Sequence, residues 1–298
     1  MRAAAPRLPR ATAAGRTSTA SGPAAPRPLS DRDVAAVAAL VYEHSGITLH
    51  EGKRALIQAR LHRRLRDTGA RSIRDYLALV RDDATGQELG ALLDAIATNH
   101  TSFFREPQHF DFLAQRVVPE WRTRGHEPLD VWSAACASGE EVYSLAITLA
   151  DVLGEIERDR VRVLGSDIST KALAAAQAGV YRLEKVQNLP MAILRKHFER
   201  GLGEHTGWAR VQPSLRRGVD FHRINLLSGP SSDRAFTAIF CRNVMIYFDR
   251  DARQRVIRML EQRIRPGGYL FIAHSESLNG LTHSLCWVAP AVYQRRIA

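Results

Sequence analysis

Pro128-Leu-Asp-Val-Trp-Ser-Ala-Ala135 is a short, nearly continuous apolar run, and together with the residues after it this run decides the fold. A run of that length reads as a strand buried on both faces. After it come Cys136-Ala-Ser-Gly139, a tight turn of small residues, and an apolar helical pattern from Glu140 to Leu153. Val161-Arg-Val-Leu-Gly-Ser-Asp167 is a second strand. Strand, helix and strand in succession predict a parallel, doubly wound α/β sheet.

Downstream, the pattern repeats. A helix is predicted from Ser169, a good N-cap, to about Ala178. Ala235–Cys241 is a third strand and Asp251–Ile264 a helix, ended by Pro266-Gly-Gly268. Tyr269–Ala273 is a fourth strand, and Trp287–Gln294 a closing edge hairpin strand. Between residues 189 and 222 the alternation breaks into a helix, glycines (Gly201, Gly203, Gly207) and short apolar runs, including Val219-Asp-Phe221. That stretch reads as a small β insertion.

Upstream, residues 30–98 carry helical periodicity and no strand signal. Ser30 caps a first helix holding Val34, Val37, Ala38 and Val41, and Gly46 stops it. A second helix runs from about Lys53 to Asp67, a third holds Ile73, Tyr76, Leu77 and Val80, and a fourth starts near Gly86. This is a small all-helical domain; residues 99–298 form the α/β domain. Residues 1–29 hold five arginines and no acid, a composition that predicts a disordered basic tail.

The 298 residues are enough for about two domains. With 45% hydrophobic and 24% charged residues the chain is an ordinary globular one, not a disordered or fibrous protein. Lys and Arg outnumber Asp and Glu by 42 to 31, a formal charge of +11, so a polyanion, an anionic membrane surface or an acidic protein face are all open as partners. Three scattered cysteines without CxxC spacing argue against a disulfide framework and a thiolate zinc site, and fit a reducing compartment. No apolar run is long enough to span a bilayer, and the N-terminus has no apolar signal core. The histidines, His100, His109, His222, His274 and His283, show no metal-ligand spacing, and no metal role is assigned.

In open α/β sheets ligands bind beyond the carboxyl ends of the strands. The first strand ends in Ala-Cys-Ala-Ser-Gly139-Glu140, whose small residues admit a close ligand but which lacks the G-x-G-x-x-G pattern. Glu140 repels a phosphate and suits a cationic or amine-bearing ligand. Asp167 ends the second strand, placed to accept hydrogen bonds from ribose hydroxyls. Together they suggest a nucleoside cofactor with a positive head, which S-adenosylmethionine fits and NAD fits poorly; these two acids alone reach no further than a nucleoside cofactor.

Two longer runs, Thr98-Asn-His-Thr-Ser-Phe-Phe-Arg-Glu106 and Phe240-Cys-Arg-Asn-Val-Met-Ile-Tyr-Phe-Asp249, resemble the CheR family of chemotaxis receptor methyltransferases. So do Val131–Ser144, Gly165–Ser169, Asn225-Leu-Leu227 and His274-Ser-Glu-Ser277, in family order across roughly residues 30–295. Cys136-Ala137 departs slightly from the family's usual Ala-Ser. The resemblance implies a Rossmann-like class I methyltransferase domain behind the helical one. It implies transfer of a methyl group from S-adenosylmethionine to glutamate side chains of chemoreceptors in the bacterial cytoplasm, at receptor arrays, leaving S-adenosylhomocysteine. It carries cofactor contacts onto Asn99, Thr101, Arg105, Glu140, Asp167, Asn225, Leu226, Arg242 and Asn243, and an active-site tyrosine onto Tyr247.

A glutamate nucleophile is already ionised at neutral pH, so no general base is required and catalysis rests on positioning. Arg105 is expected to hold the cofactor carboxylate and Tyr247 to position the acceptor. The second helix carries Lys53, Arg60, Arg63 and Arg64 and no acid up to Arg66, a basic face suited to the acidic helical bundle of a receptor. The β insertion offers edge strands to a receptor's C-terminal peptide. The competing expectations are a methyltransferase acting on RNA, for which no binding motif is visible, and a non-catalytic cofactor-binding signalling module.

Overall fold

A computed structural model describes residues 29–49, 54–124 and 127–297. The basic tail up to residue 28 and Lys53 lie outside the described residues. Four helices come first: α1 (Asp31–Ser45), α2 (Arg54–Thr68), α3 (Ile73–Asp82) and α4 (Gln87–Ile96). α1 opens on a capping box in which Ser30 Oγ accepts from the Asp33 amide (3.2 Å) and Asp33 accepts from the Ser30 amide (3.1 Å). The apolar stripes meet in one core: Val37, Leu40 and Val41 of α1, Ile57 and Leu61 of α2, Tyr76 and Leu77 of α3, Leu92 and Leu93 of α4. α1 stops at Gly46, in the left-handed region at φ +71°, where a Cβ would lie 2.8 Å from Leu227 Cδ1. Both the turn and the close approach require glycine.

The chain then builds α5 (Gln108–Phe112), a π-helical turn (Leu113–Val117) and α6 (Val118–Thr123), continuous with one another. The α/β part comes next: β1 (Leu129–Ala134), α7 (Glu140–Val152), α8 (Glu155–Arg158), β2 (Val161–Asp167), α9 (Thr170–Ala178). A smaller unit holds β3 (Val180–Arg182), α10 (Leu183–Val186), α11 (Met191–His197), β4 (Phe198–Arg200), β5 (Trp208–Val211) and α12 (Pro213–Arg216). The chain ends with β6 (Val219–Arg223), β7 (Phe236–Cys241), α13 (Arg250–Arg263), β8 (Ile264–Phe271), β9 (Cys286–Ala289) and β10 (Val292–Gln294).

The large sheet runs β6-β2-β1-β7-β8-β10-β9. Its pairs are parallel from β6 to β8, and β10 and β9 add an antiparallel edge. Alternate residues face opposite layers. Val131, Val163, Phe240 and Phe271 pack on α5 to α7, while Trp132, Leu164, Ile239 and Leu270 pack on Val256, Ile257 and Leu260 of α13. Gly165 in β2 has no room for a side chain, since a Cβ would come within 2.7 Å of the Phe221 ring and 2.8 Å of Val142. The α/β, doubly wound expectation holds, with a helical domain before it and a small antiparallel sheet inserted.

Three local expectations need correction. Val219–Arg223 is not part of the insertion; β6 is the parallel edge strand of the large sheet, beside β2. Its Asp220, His222 and Arg223 are exposed, as edge strands tend to be, so the short run Val219-Asp-Phe221 did not show that it joins the buried parallel sheet. The inserted sheet, of order β3-β5-β4, instead begins at Val180. Finally, β8 begins at Ile264 and runs through Pro266-Gly-Gly268 instead of starting after it. The β7–β8 register shifts there, and Gly268 lies where a Cβ would meet the Thr237 carbonyl at 2.8 Å.

The helical domain is stitched to the sheet's carboxyl edge. Tyr42 Oη donates to Asp249 (2.6 Å), the Thr48 amide to the Tyr247 carbonyl (2.8 Å), and Asn225 Nδ2 to the His44 carbonyl (2.6 Å). Ile47 forms a β-bridge with Phe248, and Thr170 Oγ1 donates to Asp94 (2.9 Å).

Candidate active site

The carboxyl ends of β1, β2 and β7 open on a cleft whose roof is the helical domain, with Ile47, Thr48, Leu56, Ile57, Arg60 and Ile96 facing in. Asn99, Thr101, Arg105, Asp167, Asn225, Leu226, Arg242, Asn243 and Tyr247 all line it, although they come from segments scattered over about half the chain. Five residues near it, Phe104, Glu106, Ala135, Ala137 and Asn243, hold a left-handed backbone although none is glycine. Each such residue costs about 1–2 kcal/mol. Strain concentrated at one place is a signature of a working site.

The turn after β1 is fixed by the end of β2. The Cys136 amide donates to the Ser166 carbonyl (2.8 Å), and the Ala137 amide to Asp167 Oδ2 (2.8 Å). Asp167 Oδ1 accepts from the Ser169 amide (2.9 Å). Burial raises the Asp167 pKa against the pull of these backbone donors. Each oxygen retains a lone pair beyond the bond it already accepts, and the residue lines the cleft, so it suits a vicinal diol.

Adjacent acids take different parts. Glu140 is fully buried and does not line the cleft; it accepts from Ser138 Oγ (2.6 Å) and pairs with Lys185 of α10. The expectation that Glu140 meets the cofactor is corrected: it ties the inserted unit to α7. Glu141 is the acid at the cleft. It accepts from Ser133 Oγ (2.7 Å) and Arg242 Nη1 (3.0 Å), and burial lifts its pKa although Arg242 and Ser133 oppose the shift. The helix phase carried the signal. Glu141, Leu145 and Leu149 share the stripe turned to the large sheet, while Glu140 is in phase with Tyr143 and Ile147, which pack toward the small one.

Arg242 is a brace. Its side chain is buried between Glu141 and Glu106, with Nη2 donating to Glu106 Oε2 (2.8 Å) and to the Arg105 carbonyl. Burial pushes Glu106 up, but the hydrogen bond and charge of Arg242 outweigh it and hold its pKa below the usual range. The Arg105 guanidinium, half-buried on the cleft wall, has no hydrogen bond or ion pair among the described residues. Asn225 is committed: besides its bond to His44, its Oδ1 accepts from the Leu227 amide (3.0 Å). One Nδ2 hydrogen and one Oδ1 lone pair remain, while its backbone carbonyl already accepts from the Ser228 and Gly229 amides.

Tyr247 lies on a 3₁₀ turn (Met245–Tyr247) whose loop is organised by Glu276. Glu276 accepts from the amides of Asn243 (3.0 Å), Met245 (2.9 Å) and Ala273 (2.9 Å). Sequence reasoning reaches Glu276 only as a member of a motif and gives no role to Glu106 or Glu141.

The basic helix differs from its reading. Arg60 donates to the carbonyls of Ile96 (2.9 Å) and Ala97 (3.1 Å), closing the end of α4. Arg64 grips Glu88 through both oxygens (2.8 and 2.7 Å), and Tyr76 joins the same carboxylate (2.7 Å). Arg63 is exposed, on a stripe with Leu56, Ala59 and Arg66 that leads away from the cleft mouth.

This geometry agrees with two family matches. The CheR methyltransferase, SAM binding domain, matches residues 99–291, and the CheR methyltransferase, all-alpha domain, matches residues 32–97. The chain belongs to the CheR methyltransferase family. It is 41% identical over 267 residues to a chemotaxis protein methyltransferase of Klebsiella aerogenes, covering 89% of this chain and 90% of that one. The Escherichia coli protein of the same description is 41% identical over 271 residues, covering 89% and 91%. The Salmonella typhimurium one is 40% identical, covering 89% and 90%. This CheR chain is therefore an S-adenosylmethionine-dependent methyltransferase. No helix among the described residues is long and apolar enough to cross a membrane.

Proposed function

We propose that the protein esterifies glutamate side chains of chemoreceptors, and that the acceptor enters the cleft between Arg105 and Tyr247. The observation that carries this is a cleft with a carboxylate on each side of the turn after β1, Asp167 and Glu141, and on its wall the Arg105 guanidinium, which pairs with no group among the described residues. Asp167 would take the ribose hydroxyls. Glu141 would take the α-ammonium of the methionyl tail and Arg105 its carboxylate, a planar pairing that guanidinium favours. S-adenosylmethionine, when bound, supplies an electrophilic methyl group on a sulfonium.

The chain's own contribution is orientation and dryness. A carboxylate acceptor is ionised at pH 7, so its approach needs no proton removed. Tyr247 Oη would donate to one acceptor oxygen and leave the other aimed into the cleft. The roof residues Ile47 and Leu56 keep water from the reacting pair. Positioning of this kind is worth up to about 7–11 kcal/mol.

On the receptor side, the exposed Arg63 and Arg66 next to Leu56 fit an acidic helical bundle, with Arg60 and Arg64 acting behind them as supports. Lys53 lies outside the described residues. The outer strands of the small sheet, β3 and β4, each have one edge open to an extended receptor peptide. The test is incubation with tritiated S-adenosylmethionine and receptor-bearing membranes, then treatment with base. Volatile, base-labile label is expected, since carboxyl methyl esters hydrolyse and N-methyl groups do not; base-stable label would overturn the acceptor class. Tyr247→Phe should lower turnover at saturating cofactor while leaving cofactor affinity within about threefold, a difference of under 1 kcal/mol.

A further inference from the structure

Behind the cleft wall, two imidazoles converge on Glu106 Oε2, the oxygen that also accepts from Arg242. His109 of α5 is 1% exposed, and neither of its ring nitrogens has a hydrogen-bond partner within normal geometry among the described residues. Its ring stacks on that of His274 at 4.9 Å with the planes 9° apart. The Nδ1 atoms of His109 and His274 lie 3.5 and 3.2 Å from the same atom, Glu106 Oε2. One donor atom from each of the three residues fits within 4.8 Å of the others. Donors about 2.0–2.1 Å from a shared tetrahedral ion stand roughly 3.4 Å apart, close to the two Nδ1–Oε2 spacings, and a turn of the exposed His274 ring out of the stack would bring both lone pairs onto one ion.

The sequence assigned these histidines no ligand role because they are 165 positions apart in the chain, on a helix and on the loop after β8. Ligating imidazoles commonly direct the second nitrogen to a carbonyl, and the Pro290 carbonyl is the neighbour placed for that. His274 is 41% exposed in its side chain, which gives an ion a route from solvent.

We propose that Glu106, His109 and His274 form a site for a borderline divalent cation of the Zn2+ type, and that an ion there competes with Arg242 for Glu106. Two imidazoles and one carboxylate suit such ions and leave coordination positions for water. Arg242 and the ion would share Oε2, so occupancy weakens the brace that holds Glu141 at the cleft. Binding of the cation is then unfavourable to binding of the cofactor, and by linkage the reverse. The coupling rests on the cleft being the cofactor site; the metal site itself does not.

The test uses metal-free, untagged full-length protein. Calorimetric titration with Zn2+, and the ligand-field absorption of added Co2+, should report one equivalent bound. His274→Ala, an exposed position, should weaken that binding by about tenfold or more, and His109→Gln likewise. Affinity for S-adenosylhomocysteine should drop by about fivefold or more when Zn2+ saturates the wild type, the lower end of usual coupling, and should not change in His274→Ala. Absence of Zn2+ binding in the wild type, or equal binding in His274→Ala, overturns the site. Binding that leaves S-adenosylhomocysteine affinity untouched overturns the competition, and because that affinity is measured without metal first, failure of the cofactor reading is seen separately.

Discussion

The rim of the large sheet and helix α2 are both crowded with charge, and they use it differently. At the rim, the acids are anchored by backbone amides: Ala137 and Ser169 on Asp167, Asn243, Met245 and Ala273 on Glu276. Each amide uses one lone pair, and a carboxylate has about four to offer. Asp167 is thereby fixed in place and still able to receive a ligand. On α2, Arg60 and Arg64 are held by carbonyls and a carboxylate from α4 and the residue after it, and their heads are committed to the fold. The contrast teaches that an anchored acid on a cleft remains a binding group, whereas an arginine turned inward on a helix becomes a strut, even when periodicity puts it on a basic face.

The comparison breaks first, if anywhere, at Arg242, a strut built into the rim. Replacing it with Met leaves Glu106 and Glu141 facing each other, and removing one partner of a buried ion pair costs about 3–5 kcal/mol. Urea unfolding of Arg242→Met should show a loss of that order, and calorimetry should show no S-adenosylhomocysteine binding. A variant as stable as the wild type would remove Arg242 from the struts.

Next comes the pair of neighbouring acids. Glu141→Gln should weaken cofactor affinity by about 10–100-fold, from the roughly 1.5–3 kcal/mol of a charged hydrogen bond. Glu140→Gln should change it by less than about threefold, under 1 kcal/mol. The pH dependence sharpens this. Burial raises the Glu141 pKa above its unfolded value, so the empty protein's stability from this group is fully present below the ordinary carboxylate range and lost as pH rises through the raised one. An ammonium beside Glu141 favours its charged form, so cofactor binding releases a proton. Affinity for S-adenosylhomocysteine should therefore rise with pH through that window, and the slope should flatten in Glu141→Gln but persist in Glu140→Gln.

On the helix, Arg64→Ala should cost about 1–3 kcal/mol, the penalty of leaving a part-buried hydrogen-bonding group without its partner. Arg63→Glu should leave unfolding unchanged and slow methylation of receptor membranes, an effect that fades as salt shortens the reach of charge to about 10 Å at 0.1 M. Equal stability losses at the two positions would erase the distinction between strut and surface. The smallest effect is expected at the seam: Tyr42→Phe removes one hydrogen bond to Asp249 and should lower stability by about 1 kcal/mol.

How much of this was legible depends on where partners lie along the chain. Val161–Asp167 and its following helix were readable because apolar run, strand-end acid and Ser169 cap are contiguous. Most of the cleft-lining residues were readable through motifs that keep neighbours together. β6 was seen as a short strand at Val219-Asp-Phe221 but given to the wrong sheet, since the exposed Asp220, His222 and Arg223 carry no sign of the β2 partner they lie beside. Glu141 was readable by helix phase and was passed over for the residue at the turn. The fates of Arg60 and Arg64 were not readable, because their partners lie 36 and 24 residues away on another helix. Charge periodicity names a face; it does not say what another helix will set against it.

The seam at Gly46–Thr48 has one more consequence. Thr48 hydrogen-bonds the backbone of Tyr247, Ile47 bridges Phe248, and Gly46 sits against Leu227, so the ceiling over Tyr247 is made by a segment from the other domain. A chimaera that transplants a relative's helical domain onto this catalytic half inherits a foreign ceiling. It will work only if the graft carries matching residues at 44–48, so this junction, more than the linker at residue 98, sets which halves are interchangeable.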